Sequence, residues 1–129
     1  MQILLAGFLK NLAEAASKAN ADFKYVPDIT SLIEYVESVG DLELCIISAT
    51  IPNGFAYDVV PRIKALHPDA QVWIASAQVT RDQVITGDWT RLCNRFVPID
   101  VTWEEIQSEL LSMRRLRENL EVGQSDTNP

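Results

Sequence analysis

The 129-residue sequence has little cysteine and a single histidine, which narrows the chemistry that it can support. Its two cysteines, Cys45 and Cys93, form neither a CxxC pair nor a spacing with histidine that is typical of zinc sites. We therefore expect no metal, and two unpaired thiols favour a reducing, cytoplasmic setting. The lone histidine, His67, precedes Pro68 at the end of a predicted helix, where a contact with helix-terminal carbonyls is favoured over catalysis.

Basic residues and long apolar runs are also scarce. The chain has 11 Lys and Arg against 18 Asp and Glu, and its formal net charge is −7. This balance disfavours nucleic acid or an anionic membrane as a direct partner, because phosphate groups are bound by clustered basic side chains. The one basic cluster, at residues 114–117, is interleaved with glutamates and is expected to be a solvated helix face. No apolar run approaches the roughly 20 residues that span a bilayer.

What the sequence does contain is a regular alternation of short apolar runs with segments of helical periodicity. Five runs are predicted to be strands: Met1–Ala6, Phe23–Val26, Leu42–Ile47, Val72–Ala75 and Arg95–Val97. A helical segment follows each strand, although Gly87 and poor periodicity weaken the fourth, at residues 81–92. We predict an α/β fold, a flavodoxin-like (βα)5 three-layer sandwich whose central parallel five-stranded sheet has the order 2-1-3-4-5.

The ends of the helices and of the domain follow from local signals. Thr30 or Ser31 is expected to cap the second helix. Pro61 should lie in the first turn of the third helix or kink it, because proline is costly in a helix interior. We assign residues 1–121 to one domain and residues 122–129 to a polar, disordered tail.

Small and apolar residues occupy the carboxyl ends of the predicted strands, which is where ligands bind in sheets of this kind. No carboxylate occurs in residues 1–12, so the first loop offers no ligand for Mg²⁺. The loop after the third strand offers Ser48 and Thr50, which are weak ligands, and the loop after the fourth offers Ser76 as a hydrogen-bond donor. Val97, after the fifth, offers no positive charge. The first loop is not a GxGxxG motif, so a dinucleotide site has no support. We therefore expect neither enzymatic activity nor a cofactor.

The third strand and its following loop, at residues 41–56, resemble the corresponding segment of response-regulator receiver domains. In that family an apolar strand ends in the phospho-accepting aspartate, and a hydrophobe-proline pair follows three residues later. Ile51-Pro52 matches the pair, and Ser48 falls at the position of the aspartate. Ser76-Ala77 resembles the Thr/Ser-Ala that closes the fourth strand, and Pro98 resembles the proline after the last strand.

The resemblance covers about residues 1–120, but the residues that carry the chemistry depart from the family pattern. The acidic pair after the first strand, the acceptor aspartate and the lysine are all replaced, and only the hydroxyl of the fourth strand is retained. This degenerate phosphorylation site comprises Gly7, Phe8, Ser48, Ser76 and Val97. Asn94 stands about where the family has its switching aromatic residue, and we expect Phe96 on the opposite face of the strand.

These departures imply a pseudo-receiver, that is, a signalling module that binds a partner protein without being phosphorylated. Receivers commonly bind partners through the fourth helix, the fifth strand and the fifth helix. The candidate partner-binding residues in that region are Trp89, Arg91, Arg95, Trp103 and Gln107. The helical spacing of Trp103 also fits a core anchor, and Trp73 is expected in the core. An extension of the last helix past Leu116 would suit a homodimer or a link to an output domain.

Two other interpretations remain open from the sequence. A flavodoxin-like domain could use the strand edge near Gly7, Ser48 and Ser76 to bind a neutral or redox-active small molecule, although no motif supports this. Phosphorylation through Asp58 or Ser48 is disfavoured, because Asp58 lies ten residues after the acceptor position and lacks acidic neighbours in the first loop.

Overall fold

The computed structural model describes residues 2–77 and 93–126, which form a parallel sheet with helices on both faces. In chain order the elements are β1 (Gln2–Ala6), α1 (Lys10–Lys18), β2 (Lys24–Val26), α2 (Ile29–Ser38), β3 (Leu42–Ser48), β4 (Thr50–Ile51), β5 (Gly54–Phe55), α3 (Ala56–Leu66), β6 (Gln71–Ser76), β7 (Arg95–Pro98) and α4 (Trp103–Asp126). The main sheet has the order β2-β1-β3-β6-β7, and its pairings are parallel. Without the short pair β4–β5 this is the order 2-1-3-4-5, so the predicted fold class is confirmed.

The central strand β3 is buried along its whole length, as expected for a strand covered on both faces. Its successive side chains point to opposite faces of the sheet and enter two cores. The α2–α3 core includes Leu32, Val36, Ile47, Val60 and Ile63. The α1–α4 core includes Leu5, Leu12, Ile46, Trp73, Ile106 and Leu110. Trp73 is 1% exposed, so its expected place in the core is confirmed.

Helix α2 begins earlier than expected. Its N-cap is Asp28, whose Oδ1 accepts a hydrogen bond of 2.8 Å from the backbone N–H of Ser31. The expectation that Thr30 or Ser31 caps this helix was therefore wrong. Asp28 is itself a favoured capping residue, and its extended backbone places the carboxylate over the first turn.

We expect Asp28→Ala to lower the free energy of unfolding by about 1 kcal/mol, because the N–H of Ser31 would lose its acceptor. Asp28→Asn keeps a side-chain oxygen at this place and should lose much less. Urea denaturation followed by circular dichroism measures both changes. Equal losses for the two variants would show that the cap is not what stabilises the helix.

The segment between β3 and α3 contains a hairpin that the sequence analysis did not predict. Strands β4 and β5 pair antiparallel on either side of Pro52 and Asn53. Asn53 has a φ of +76°, and proline followed by such a residue is typical of a type II turn. Helix α3 begins directly after the hairpin at Ala56, so Pro61 lies inside the helix rather than in its first turn. Burial of Val59, Val60 and Ile63 offsets the backbone hydrogen bond that proline cannot donate.

Helix α4 extends to Asp126, so the predicted domain boundary at residue 121 falls inside it. Residues 122–126 are therefore helical rather than part of an irregular tail. The single Gly123 costs only about 1 kcal/mol in a helix, and no proline interrupts this segment. The predicted fourth helix, at residues 81–92, lies outside the described residues. Within the described part of the chain, no helix is both long and apolar enough to span a membrane.

Candidate functional site

The turn after β1 is held in place by contacts with β2. Gly7 has a φ of +88°, a conformation that favours glycine. Its N–H donates to the carbonyl of Val26 at 3.0 Å, and its carbonyl accepts from Leu9 N–H at 2.8 Å. The same carbonyl accepts a hydrogen bond of 2.6 Å from the hydroxyl of Tyr25, whose pKa is raised by burial. Tyr25 therefore keeps at neutral pH the proton that it donates to Gly7.

Ser48 ends β3 and connects two loops at the carboxyl edge of the sheet. The residue is 1% exposed. Its Oγ accepts a hydrogen bond of 2.9 Å from the N–H of Phe8 and donates one of 2.5 Å to the carbonyl of Thr50. A serine hydroxyl has only one proton, and here that proton is already donated. Ser48 is therefore a buried structural bridge between the turn after β1 and the start of β4.

Gly7 and Ser48 fit one another closely. A Cβ atom built on Gly7 would lie 2.2 Å from the Oγ of Ser48, which is far closer than non-bonded atoms approach. The serine hydroxyl thus fills the space that any other side chain at position 7 would enter. A side chain at position 7 and the hydroxyl of Ser48 would therefore compete for one space.

An open cleft of about 350 Å³ lies beyond the ends of β1, β3 and β6. The described residues that line it are Phe8, Ser48, Ala49, Thr50, Phe55, Tyr57, Ala75, Ser76, Ala77 and Ile99. Of the five predicted site positions, Phe8, Ser48 and Ser76 meet here, and Gly7 lies directly behind Ser48. None of the lining residues in the described part of the chain carries a charge.

Val97, the fifth predicted position, does not belong to the lining described for this cleft. It is 7% exposed and packs in the α1–α4 core, because strand alternation turns its side chain to that face. Ile99, two residues further on, lines the cleft instead. Phe96 packs against the α2–α3 core, on the side where Asn94 bonds Lys64 of α3. Phe96 and Asn94 therefore lie on the same side of the sheet, and the expectation that they lie on opposite faces was wrong.

Of the two tryptophans predicted for partner binding, Trp103 lies in the described part of the chain and Trp89 does not. Trp103 is 3% exposed and packs near Phe23, with ring centroids 6.4 Å apart. Its predicted role as a partner-binding residue was therefore wrong, because the periodicity of α4 turns it into the α1–α4 core. Trp89 and Arg91 lie outside the described residues.

Arg95 and Gln107 are both exposed, as a partner-binding role requires. Arg95 pairs with Glu109 of α4 at 2.8 Å, and its guanidinium carbon lies 5.1 Å from the centre of the Trp73 ring. A groove of about 450 Å³ runs here between β7 and α4, and its lining includes Arg95, Glu104, Glu105 and Glu109. We call this surface the β7–α4 groove.

An ion pair between a buried glutamate and a half-exposed arginine, which the sequence analysis missed, lies at the opposite, amino-terminal edge of the sheet. Glu43 is 6% exposed in β3, and its carboxylate accepts hydrogen bonds from Nε of Arg114 at 2.9 Å and from Nη2. The hydrogen bonds from Arg114 hold the pKa of Glu43 below its usual value. Arg114 therefore belongs to an anchor between α4 and β3 rather than to a purely solvated face. A lone glutamate within an apolar strand was the signal for such a partner.

The histidine and the two cysteines make contacts within the fold or are buried in it. Nε2 of His67 lies 2.8 Å from the carbonyl oxygen of Val36 in the last turn of α2, so the expected helix-end contact of this histidine is confirmed, on a neighbouring helix. Cys45 and Cys93 are buried and free, and burial raises the pKa of both thiols. In the described ranges, no group of three or more His, Cys, Asp or Glu side chains is arranged to hold a metal ion.

The fold is that of response-regulator receiver domains. A receiver domain protein from Clostridium thermocellum superposes with a TM-score of 0.70, over 92% of this chain and 98% of that chain, at 16% sequence identity. A two-component response regulator from Clostridium difficile gives a TM-score of 0.71, over 89% of this chain and 96% of that chain, at 11% identity. A response regulator from Burkholderia pseudomallei, with a phosphorylated aspartic acid, gives 0.68 over 99% and 75% of the two chains, at 14% identity.

Sequence comparison finds similarity over only part of the chain. No family model matches the chain. The DNA-binding transcriptional regulator NtrC of Rhizobium meliloti (strain 1021) is 33% identical over 69 residues. That match covers 54% of this chain and only 14% of NtrC, so it concerns a small part of the larger protein.

Proposed function

We propose that this chain is a pseudo-receiver, a non-enzymatic signalling module of the cytoplasm that binds a partner protein and is not switched by phosphorylation. The proposal rests on the burial and the hydrogen bonds of Ser48, which lies at the position that resembles the phosphorylated aspartate. Its hydroxyl is buried and bridges Phe8 and Thr50. A receiver needs a free carboxylate there, beside a metal ion that neutralises the incoming phosphoryl group.

The surroundings of Ser48 support the same conclusion. Phosphoryl transfer depends on positive charge that stabilises the transferring group. The described lining of the cleft offers neither a carboxylate for Mg²⁺ nor an ammonium group. A phosphoryl group on Ser48 would break both hydrogen bonds of the bridge and would bring negative charge beside the apolar side chains of Phe8 and Ile99. Burial of an uncompensated charge is strongly unfavourable.

The β7–α4 groove is the surface that we assign to the partner. Arg95, which lines the groove, and Gln107, which is exposed on α4, remain proposed partner contacts, and Trp89 and Arg91 remain predictions. Three glutamates, Glu104, Glu105 and Glu109, line this groove, and the whole chain carries a net charge of −7. A partner that presents basic side chains fits this charge. The exposed Leu111 and Leu116 on α4 offer a further contact for a second copy or an output domain.

We expect acetyl phosphate and Mg²⁺ to leave the intact mass of the protein unchanged. A receiver that retains its aspartate, treated in parallel, shows that the reagents are active. The expected result follows because the hydroxyl of Ser48 is buried and already donates its proton. A mass increase of one phosphoryl group that maps to Ser48 or Asp58 would contradict the proposal.

A further inference from the structure

The rim of the cleft beyond β1, β3 and β6 is apolar and exposed. Phe8 is 62% exposed, Phe55 is 54% exposed and Ile99 is 37% exposed, and all three line this cleft. They are half of the six large apolar side chains that are exposed in the described part of the chain. Single exposed apolar residues are ordinary, whereas several around one cleft mark a binding site.

The topology places this cleft where sheets of this kind bind ligands. Strand β2 lies next to β1 on one side within the sheet, and β3 lies next to β1 on the other side, so the direction of the strand order reverses at β1. The crevice at such a switch point, beyond the carboxyl ends of the strands, is the usual ligand site of open α/β sheets. Phe8 follows β1, while Ala49 and Thr50 follow β3, so the cleft lies at this switch point.

The chemistry of the lining selects a class of ligand. Aromatic side chains stand on three of its elements, Phe8 in the turn after β1, Phe55 in β5 and Tyr57 in α3. The described lining carries no charge, and the hydroxyl of Ser48 is already used within the fold. Among the described lining residues a phosphate or carboxylate would therefore find no partner charge, whereas an apolar ring can pack against the rim. The volume of about 350 Å³ suits a small molecule.

We propose that this cleft binds a small, neutral, aromatic molecule in place of the phosphoryl group that receivers accept. The site shares none of its described lining with the β7–α4 groove. The proposal therefore does not depend on the partner surface, and either one can fail without the other.

The test uses the neutral fluorescent probe N-phenyl-1-naphthylamine with the full chain. We expect saturable binding of one probe per protein, with displacement by 2-naphthol and not by 2-naphthyl phosphate. Phe8→Ala and Phe55→Ala should each weaken the binding about tenfold or more, because each removes one aromatic wall. Both side chains are more than half exposed, so the variants should fold, and circular dichroism checks this.

Leu66→Ala and Leu111→Ala are the matched controls. Both leucines are about as exposed as Phe55, at 47% and 51%, but neither lines the cleft. They should leave probe binding unchanged. Three results would overturn the proposal: no saturable binding, an equal loss of binding in the leucine variants, or displacement by 2-naphthyl phosphate as effective as that by 2-naphthol.

Discussion

Gly7→Ala should lower the free energy of unfolding by about 3 kcal/mol. A side chain at a φ of +88° costs about 1–2 kcal/mol in backbone strain. The added Cβ would lie 2.2 Å from the Oγ of Ser48, so this hydroxyl must move and release its bonds to Phe8 and Thr50. Each lost hydrogen bond costs about 1 kcal/mol. Urea denaturation of the variant and the parent protein measures the change.

Gly40→Ala is the matched control for this prediction. A Cβ built on Gly40 meets nothing within 4 Å in the part of the chain that the structure describes, so this variant should be close to neutral. A double-mutant cycle with Ser48→Ala isolates the contact itself. In the Ser48→Ala background, Gly7→Ala should cost clearly less, because the Oγ that it strikes is absent. An equal cost in both backgrounds would mean that Gly7 and Ser48 are not coupled.

Arg114→Met should lower the free energy of unfolding by about 2–3 kcal/mol at neutral pH. The substitution leaves the carboxylate of Glu43 buried at 6% exposure without its hydrogen-bonding partner, and unpaired buried charges are costly. Arg62→Met is the matched control, since Arg62 pairs with Glu37 on the surface, where both side chains are exposed. Surface pairs contribute at most about 1 kcal/mol. Similar losses for the two variants would contradict a special role for the pairing of the buried Glu43.

The same pair makes stability depend on pH. The pKa of Glu43 is lower in the folded protein than in the unfolded chain, mainly because Arg114 donates hydrogen bonds to the carboxylate. Its contribution is therefore fully present above the pKa of the unfolded carboxyl group and is lost as the pH falls through the folded pKa. Urea denaturation between neutral pH and pH 3 should show this loss in the parent protein. Glu43→Gln should lack that component, and an unchanged pH profile in this variant would contradict the assignment.

The order of the strands could be predicted from the sequence because it depends on a pattern repeated along the chain. The apolar run from Leu42 to Ile47 is typical of a strand covered on both faces, and the structure places β3 at the centre of the sheet. His67 does contact a helix-terminal carbonyl, but that of α2 rather than of α3, which it caps, so its position in the sequence predicted the kind of contact and not the partner.

What could not be predicted depends on contacts between distant residues or on local geometry. Arg114 and Glu43 are 71 positions apart in the sequence, and no local pattern predicts that these two residues pair. Val97 packs in the α1–α4 core, whereas Ile99, which no sequence pattern singled out, follows β7 and lines the cleft. Phe55 lines the cleft because it lies in the hairpin formed by β4 and β5. These strands of two residues are too short to show periodicity in the sequence.

The measurement that tests the central claim most directly is a set of amide NMR spectra recorded with and without Mg²⁺ and beryllofluoride. Beryllofluoride mimics the phosphoryl group on a receiver aspartate, and a receiver that retains its aspartate serves as the positive control. Because Ser48 is buried and bridges Phe8 and Thr50, we predict no shift at these residues or at Ser76 and Ile99. Saturable shifts at the cleft would show that it still accepts a phosphoryl mimic, and would contradict a phosphorylation-independent function.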